Sequence, residues 1–369
     1  MTDKRDLRSQ ALDLLRFPLA AIIVVVHMLS GDFVVSGSIF ETQEHLGYHI
    51  INDFVMAFLK GQSVPIYYFI SGYVFFLGIE LTKEKYIKKI SNRIRSLFIP
   101  YLIWNFIFIV FYLIRTVPFI SSCFSGDDIV FDWRDFFASF WWRKYTTSAD
   151  FGVATYPINY PLWFLRDLMI VVVCTPAVSF MIKHFKAFYI LFLGIVWFVA
   201  NLQGWGRLIQ LSNAFFFFSF GSYMSINKKD MLVEFGRFTK LSIILFILTG
   251  CGYMFFVRMS PETAHIIMYM RILVGLLFAY NLAVYLLKKG YCKVNKFLAS
   301  SSFFIYLSHA WVFERVRRLI FSAIDLNSDF WIIVAYLLTV FVTISLLLLA
   351  YYCGKRFMPG IFKVMIGGR

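Results

Sequence analysis

Charge is scarce in this sequence. Only 15% of its 369 residues are Asp, Glu, Lys or Arg, where a soluble domain carries about 25%, and the apolar residues fall in long runs. That balance excludes an ordinary water-soluble domain. Cysteine is sparse too: Cys123, Cys174, Cys251, Cys292 and Cys353 are scattered, and only Cys123 lies in an exposed outer loop, which argues against a disulfide framework. There is no CxxC or HExxH pattern, so no metal site is expected, and no internal repeat or low-complexity tract. Nor is there a basic stripe with nucleic-acid spacing, so no nucleic-acid partner is expected.

What is present is apolar and long. A helix crosses the hydrocarbon with about 20 mostly apolar residues, and ten stretches qualify or nearly so: roughly 14–33, 52–79, 97–116, 161–182, 187–203, 209–226, 240–257, 266–287, 297–320 and 330–353. The sequence predicts an all-α integral membrane protein, a bundle of about ten transmembrane helices. Residues 1–369 form a single transmembrane domain, with an outer loop at about 117–160 between the third and fourth spans. The first run is not expected to be a signal peptide, because no small-residue cleavage site follows it and Asp13 and Arg16 interrupt its start.

Lys and Arg set the orientation, since retained loops are rich in them. With the N-terminus inside, 23 of the 36 fall in cytoplasmic segments, 9 in outer segments and 4 within spans (Arg16, Lys60, Arg166, Arg271). Both termini are therefore expected in the cytoplasm. The formal charge of +15 is mainly topological.

Within the first run, LDLLRFPLAAIIVVVHMLSG at 12–31, an arginine and a histidine sit where lipid disfavours both. Arg16 and His27 are eleven residues apart, which on an α-helix is about 16 Å of rise and within about 20° of whole turns, so they share a face. Intramembrane ionisable residues point at the bundle interior or a wet cavity. The alternative is that Arg16 snorkels to the inner headgroups and His27 makes one interhelical bond. A second basic cluster, KEKYIKKISNRIRSLFIPY at 83–101, ends with Arg93 and Arg95. Its lysines suit anchoring on anionic lipid, whereas arginine is the better bidentate phosphate ligand.

These features together resemble the membrane-bound acyltransferase type 3 family, whose members modify bacterial surface glycans and lipids. Arg16 and His27 match its R-X10-H signature, and Leu12 and Asp13 its LDxLR start. SVPIYYFISGYVFF (63–76) is similar to the second-helix stretch with an F-x-SGY core. Arg93-Ile94-Arg95 matches the R-X-R motif before a helix holding Pro100 and Tyr101, and SSFFIYLSHAWV (301–312) is similar to the late YLxH segment. The resemblance spans the chain and is closest to short, stand-alone members without a C-terminal esterase-like domain.

It implies a multi-pass protein of the bacterial cytoplasmic (inner) membrane. Acetyl-CoA would be a co-substrate, with no permanently bound cofactor, and a glycan or lipid-linked sugar would be the acceptor. Arg16, Arg93 and Arg95 would hold the donor's phosphates, and His27 would meet the thioester as general base; an acyl-His intermediate stays open.

Supporting candidates rank lower. Ser71 beside Gly72 could donate to the thioester, or the pair could serve helix packing. Asp13 lies a turn before Arg16. In PLWFLRDLM (161–169), Trp163, Arg166 and Asp167 form either an acceptor-sugar platform or a belt tryptophan with a local ion pair. His309 orients the acceptor or bridges helices. Glu314, Arg317 and Arg318 have the spacing of a solvated rim ladder, and Arg271 needs a partner. The function read from the sequence is membrane O-acyltransfer, most concretely O-acetylation of a sugar hydroxyl. A proton-coupled transporter is the first rival, although no duplicated halves are visible, and a non-catalytic membrane assembly factor the second.

Overall fold

The computed structural model describes residues 4–28, 33–35, 38–40, 45–115, 133–141, 143–144 and 155–368. Most of the outer loop expected at 117–160, with Cys123, lies outside the described residues. The other four cysteines are free. Helices dominate, and two short antiparallel pairs complete the described structure: Phe33–Val35 with Ser38–Phe40, and Arg143–Lys144 with Thr155–Tyr156.

Every one of the ten apolar stretches carries helix. In chain order the helices are α1 (Lys4–His27), α2 (Leu46–Phe58), α3 (Ser63–Phe76), α4 (Lys83–Arg93), α5 (Ile99–Arg115), α6 (Trp133–Ser139), α7 (Trp163–Val173) and α8 (Thr175–Phe185). They continue as α9 (Ala187–Leu202), α10 (Gly206–Ile226), α11 (Met231–Glu234), α12 (Thr239–Phe256), α13 (Pro261–Lys288), α14 (Lys296–Ala323), α15 (Asp329–Phe357) and α16 (Pro359–Met365). Among the described residues, five segments are long and apolar enough to cross a membrane: Asp6–His27, Lys83–Phe111, Met231–Phe256, Pro261–Lys288 and Asp329–Phe357; the bent pair α7 and α8 makes a sixth if it is one span. α10 and α14 are comparably long, at 21 and 28 residues, but more polar. Several of their polar residues turn inward: Ser219, Ser222, Ser301, Ser302, Ser308 and His309 are all buried.

Two stretches read as single spans are interrupted. Residues 52–79 break between α2 and α3 at Leu59–Gln62. Gly61 there adopts φ +80°, and a Cβ would lie 2.8 Å from Ile272 Cδ1, so glycine is the residue that fits. Residues 161–182 bend by 63° between α7 and α8. Pro176 has no N–H for the Val172 carbonyl four residues earlier, and the Thr175 hydroxyl donates to that carbonyl instead, at 2.7 Å.

The chain divides into two compact units, 1–78 with 217–353 and 79–216 with 354–369. In the first, α3 meets the C-terminal half of α10 backbone to backbone. A Cβ on Gly72 would lie 2.0 Å from Phe218 O, and one on Gly221 2.0 Å from Phe69 O. Small residues permit this approach in membrane helices. Gly72→Ala and Gly221→Ala are each expected to cost about 1 to 3 kcal/mol or more, because a rigid backbone carbonyl must give way. Thermal melting in detergent checks this, with Gly360→Ala as control, since a methyl there meets nothing within 4 Å. Wild-type melting of both variants would show that the two helices separate without cost.

In the second unit, α4 continues into α5 through a π-helical turn, Ile94–Phe98. Pro100 cannot donate to Ser96, the i−4 carbonyl, and the Ile99 N–H bonds Ile94 O in the wider register. The C-terminal α16 packs on α5, where Trp104 Nε1 donates to Met365 O at 3.1 Å.

Candidate active site

α1 runs unbroken through both Arg16 and His27, with Pro18 inside it. Two hydroxyls of α3 hold α1 on either side of Pro18: Tyr67 donates to Arg16 O at 2.6 Å and Ser63 to Leu19 O at 2.9 Å. The Arg16 guanidinium lies 3.2 Å from Asp13, one turn earlier, and the two side chains are 48% and 37% exposed. Asp13 thus steers an arginine that remains accessible.

His27 ends α1 against α14. Its ring centre is 5.1 Å from that of His309, and Phe313 stacks at 6.4 Å from each. One wall of the site is apolar: Met28, Phe313 and Tyr336 form a buried cluster with Val25, Ile51, Ala310 and Val340 packed on it. The Tyr336 hydroxyl donates to Val25 O at 3.0 Å. His309 is fully buried, and its Nδ1 bonds Tyr306 O at 2.8 Å and Ile305 O at 3.2 Å. Among the described residues its Nε2 has no hydrogen-bond partner.

Ser71 is half-buried, and the adjacent Gly72 supplies the close approach of α3 to α10. Tyr73 of the same SGY stretch accepts from Arg8 Nη1 at 3.0 Å, a pairing that the sequence reading missed because 65 positions separate the two. Arg271 finds its partner at the α2–α3 break rather than in a carboxylate. Its Nη2 donates to Lys60 O at 2.7 Å and Met56 O at 3.3 Å, carbonyls at the end of α2, where a cation is favoured. The ladder expected on α14 forms, with Glu314 bonding Arg317 at 2.5 Å and Arg318 at 3.1 Å. Arg317 is only 4% exposed, however, and lies over the Phe313 ring, so that rung is buried rather than solvated.

The second unit holds the other candidates. Arg93 and Arg95 differ in surroundings. Arg93 is half-buried and lines an apolar groove of about 360 Å³ walled by Ile90, Ile94, Phe98, Met169 and Val173, whereas Arg95, inside the π turn, is exposed. Trp163 is half-buried at the start of α7. Arg166 and Asp167 do pair, Nε to Oδ1 at 2.9 Å, but both are fully buried and a third residue joins them. Arg207 places Nη2 2.6 Å from Asp167 Oδ1 and Nη1 2.8 Å from Oδ2. Gln210 Oε1 accepts from both arginines, and Arg166 Nη1 reaches Trp141 O at 2.7 Å. The local pair expected from sequence is thus one carboxylate shared by two guanidiniums. Arg207 was missed because no helical spacing links it to Asp167, 40 positions away.

Comparison with known proteins agrees with the motif reading. The acyltransferase-domain family profile matches residues 9–351, nearly the whole chain. Succinoglycan biosynthesis protein ExoH of Rhizobium meliloti (strain 1021) is 28% identical over 183 residues, a match covering 48% of this chain and 44% of that relative. The chain therefore spans less than half the length of that relative in the match. No solved structure matches the chain. With R-X10-H on a single helix, the SGY and R-X-R stretches in order, and a profile match over residues 9–351, the chain belongs to the membrane-bound acyltransferase type 3 family.

Proposed function

We propose that this protein is an integral membrane O-acetyltransferase that moves the acetyl group of cytosolic acetyl-CoA to a sugar hydroxyl of a surface polysaccharide, lipopolysaccharide or lipid-linked glycan precursor. The reading rests on one observation above the others: in a member of an acyltransferase family, α1 carries the exposed Arg16 and, eleven residues on, a histidine packed against a second, buried histidine. A sugar hydroxyl ionises far above neutral pH, so its attack on a thioester needs a base of near-neutral pKa, and histidine supplies one. The hydroxyl oxygen bonds the acetyl carbon, the C–S bond breaks, and the hydroxyl proton passes through His27 to the departing thiolate.

In this reading the ten stretches form ten spans of one transmembrane domain in the bacterial inner membrane, with both termini cytoplasmic. Arg16, Arg93 and Arg95 meet the donor's phosphates. The rise of about 16 Å along α1 is comparable to the reach of a pantetheine arm. The resemblance to a succinoglycan biosynthesis protein favours a glycan acceptor. Ser71, Trp163 and the Arg166–Asp167 network are supporting elements. The test is purified protein in nanodiscs with labelled acetyl-CoA, with and without candidate glycans. Acceptor-dependent release of CoA and labelling of the glycan are expected. Untouched acetyl-CoA together with glycan flux across a liposome membrane would replace this reading with a carrier.

Arg16→Lys separates a donor ligand from a snorkelling anchor. Lysine keeps the charge and reach but loses the planar fork. Losing a charged hydrogen bond costs about 1.5 to 3 kcal/mol, so kcat/KM for acetyl-CoA is expected to fall roughly ten- to over a hundredfold. Steady-state donor kinetics, normalised to folded protein, measure this; near-wild-type values would leave Arg16 as an anchor.

A further inference from the structure

His309 has one ring nitrogen committed and one idle. Nδ1 faces two backbone carbonyls, Tyr306 O and Ile305 O, which can only accept. Nδ1 therefore carries the proton of the neutral ring, and Nε2 carries the lone pair. That lone pair is buried and, among the described residues, unpaired, a state that ordinarily costs about 1 to 3 kcal/mol. The helix carbonyls thus maintain an acceptor in a buried site where the nearest ring, among the described residues, is His27.

The separation of the rings identifies what this acceptor fits. A ring nitrogen lies about 1.1 to 1.2 Å from its ring centre, so two imidazoles joined head-on by an N–H···N bond of about 2.9 Å have centres roughly 5.2 Å apart. The observed separation is 5.1 Å, with the planes 38° apart. The centre-to-centre distance is therefore that of two rings joined by one such bond. Phe313, stacked on both rings, limits where they can go.

We propose that His309 is a positioning residue for the transfer. Its Nε2 accepts the N–H of His27 in the reacting complex, so that the other His27 nitrogen presents its lone pair to the acceptor hydroxyl. When His27 takes the hydroxyl proton it becomes an imidazolium, and the bond to His309 strengthens; when His27 gives that proton to the thiolate, both rings return to their starting tautomers. His309 thus does for His27 what a carboxylate does in a serine hydrolase, with helix carbonyls setting its tautomer. The inference rests on the acyltransferase reading given above.

The experiment has two arms. In the first, selectively 15N-histidine-labelled protein in lipid bilayers is examined by solid-state NMR, with His309→Phe and His27→Ala used for assignment. His309 is expected as the Nδ1–H tautomer, with its Nε2 signal changed by His27→Ala. A His309 protonated at Nε2 overturns the proposal whether or not the protein transfers acetyl groups. In the second, kcat and KM for acetyl-CoA are measured for His309→Phe, His309→Gln, His27→Ala and the double variant. His309→Phe is expected to lower kcat about a hundredfold with KM for the donor little changed, and His309→Gln, whose carbonyl oxygen can still accept, to recover part of the loss. In the His27→Ala background His309→Phe is expected to add little, because it acts through His27. Equal losses in both backgrounds, or full activity of folded His309→Phe, overturn the proposal. If wild-type protein transfers nothing, the acyltransferase reading fails while the NMR arm still decides the geometry.

Discussion

His27→Ala is expected to lower the turnover of acyl transfer by about 100- to 10,000-fold, the usual contribution of a general base, while expression and donor affinity stay near wild type. The substitution deletes a ring at the end of α1, where no helical hydrogen bond passes through the side chain. The packing that remains, Met28 with Phe313 and Tyr336, does not depend on its protonation. The catalytic function lost is proton transfer, so kcat should fall and the KM for acetyl-CoA should not; the ring's contacts with His309 and Phe313 go as well, so both are normalised to folded protein. The measurement is single-turnover transfer in nanodiscs beside CoA binding by calorimetry. Retention of most turnover in a folded variant would remove His27 from the mechanism and leave the arginine end of the motif without a reaction to serve.

Asp167→Ala is expected to produce the largest loss of stability of any single substitution in the second unit. Its carboxylate is fully buried and bonded by Arg166 at 2.9 Å and Arg207 at 2.6 and 2.8 Å. Removing it leaves two guanidiniums adjacent without a counter-charge, one of them fully buried. Breaking a buried pair by deleting one partner costs about 3 to 5 kcal/mol, because the remaining charge is uncompensated. Arg207, 28% exposed, regains some hydration, which places the effect toward the lower end. Asp167→Asn keeps one acceptor and should lie between Asp167→Ala and wild type; Arg207→Ala, which leaves the Arg166–Asp167 pair intact, should be milder than Asp167→Ala. Thermal unfolding in detergent orders the variants. If Asp167→Ala melts with the wild type, the cluster contributes nothing to the fold, and an acceptor-binding role for Arg166 becomes the stronger reading.

Local chemistry and helix pitch were enough for much of this protein. The scarcity of charge and the ten apolar stretches specify helices, because in lipid each backbone N–H and C=O must be satisfied within its own segment. The eleven-residue spacing of Arg16 and His27 puts them on one face of α1 because three helical turns take about eleven residues. Asp13 pairs with Arg16, and Glu314 with Arg317 and Arg318, because i+3 and i+4 neighbours meet on any helix. The family was legible for the same reason: its motifs are short, local and in order.

Tertiary structure decided which intramembrane polar groups meet. His27 and His309 come from opposite ends of the chain, and Asp167 and Arg207 lie on different helices, so no periodicity joins either pair. Arg93 and Arg95 are two positions apart, yet one lines an apolar groove and the other is exposed, where the helix changes register before Pro100. Arg271 found its partners among the described residues in the main chain, in carbonyls at the break around Gly61. The sequence alone determined that this chain is helical, membrane-embedded and built on the acyltransferase motifs, because those properties sum over local residues. Which nitrogen faces which oxygen depends on how helices distant in sequence cross, and backbone contacts such as Gly72 on Phe218 and Gly221 on Phe69 set those crossings.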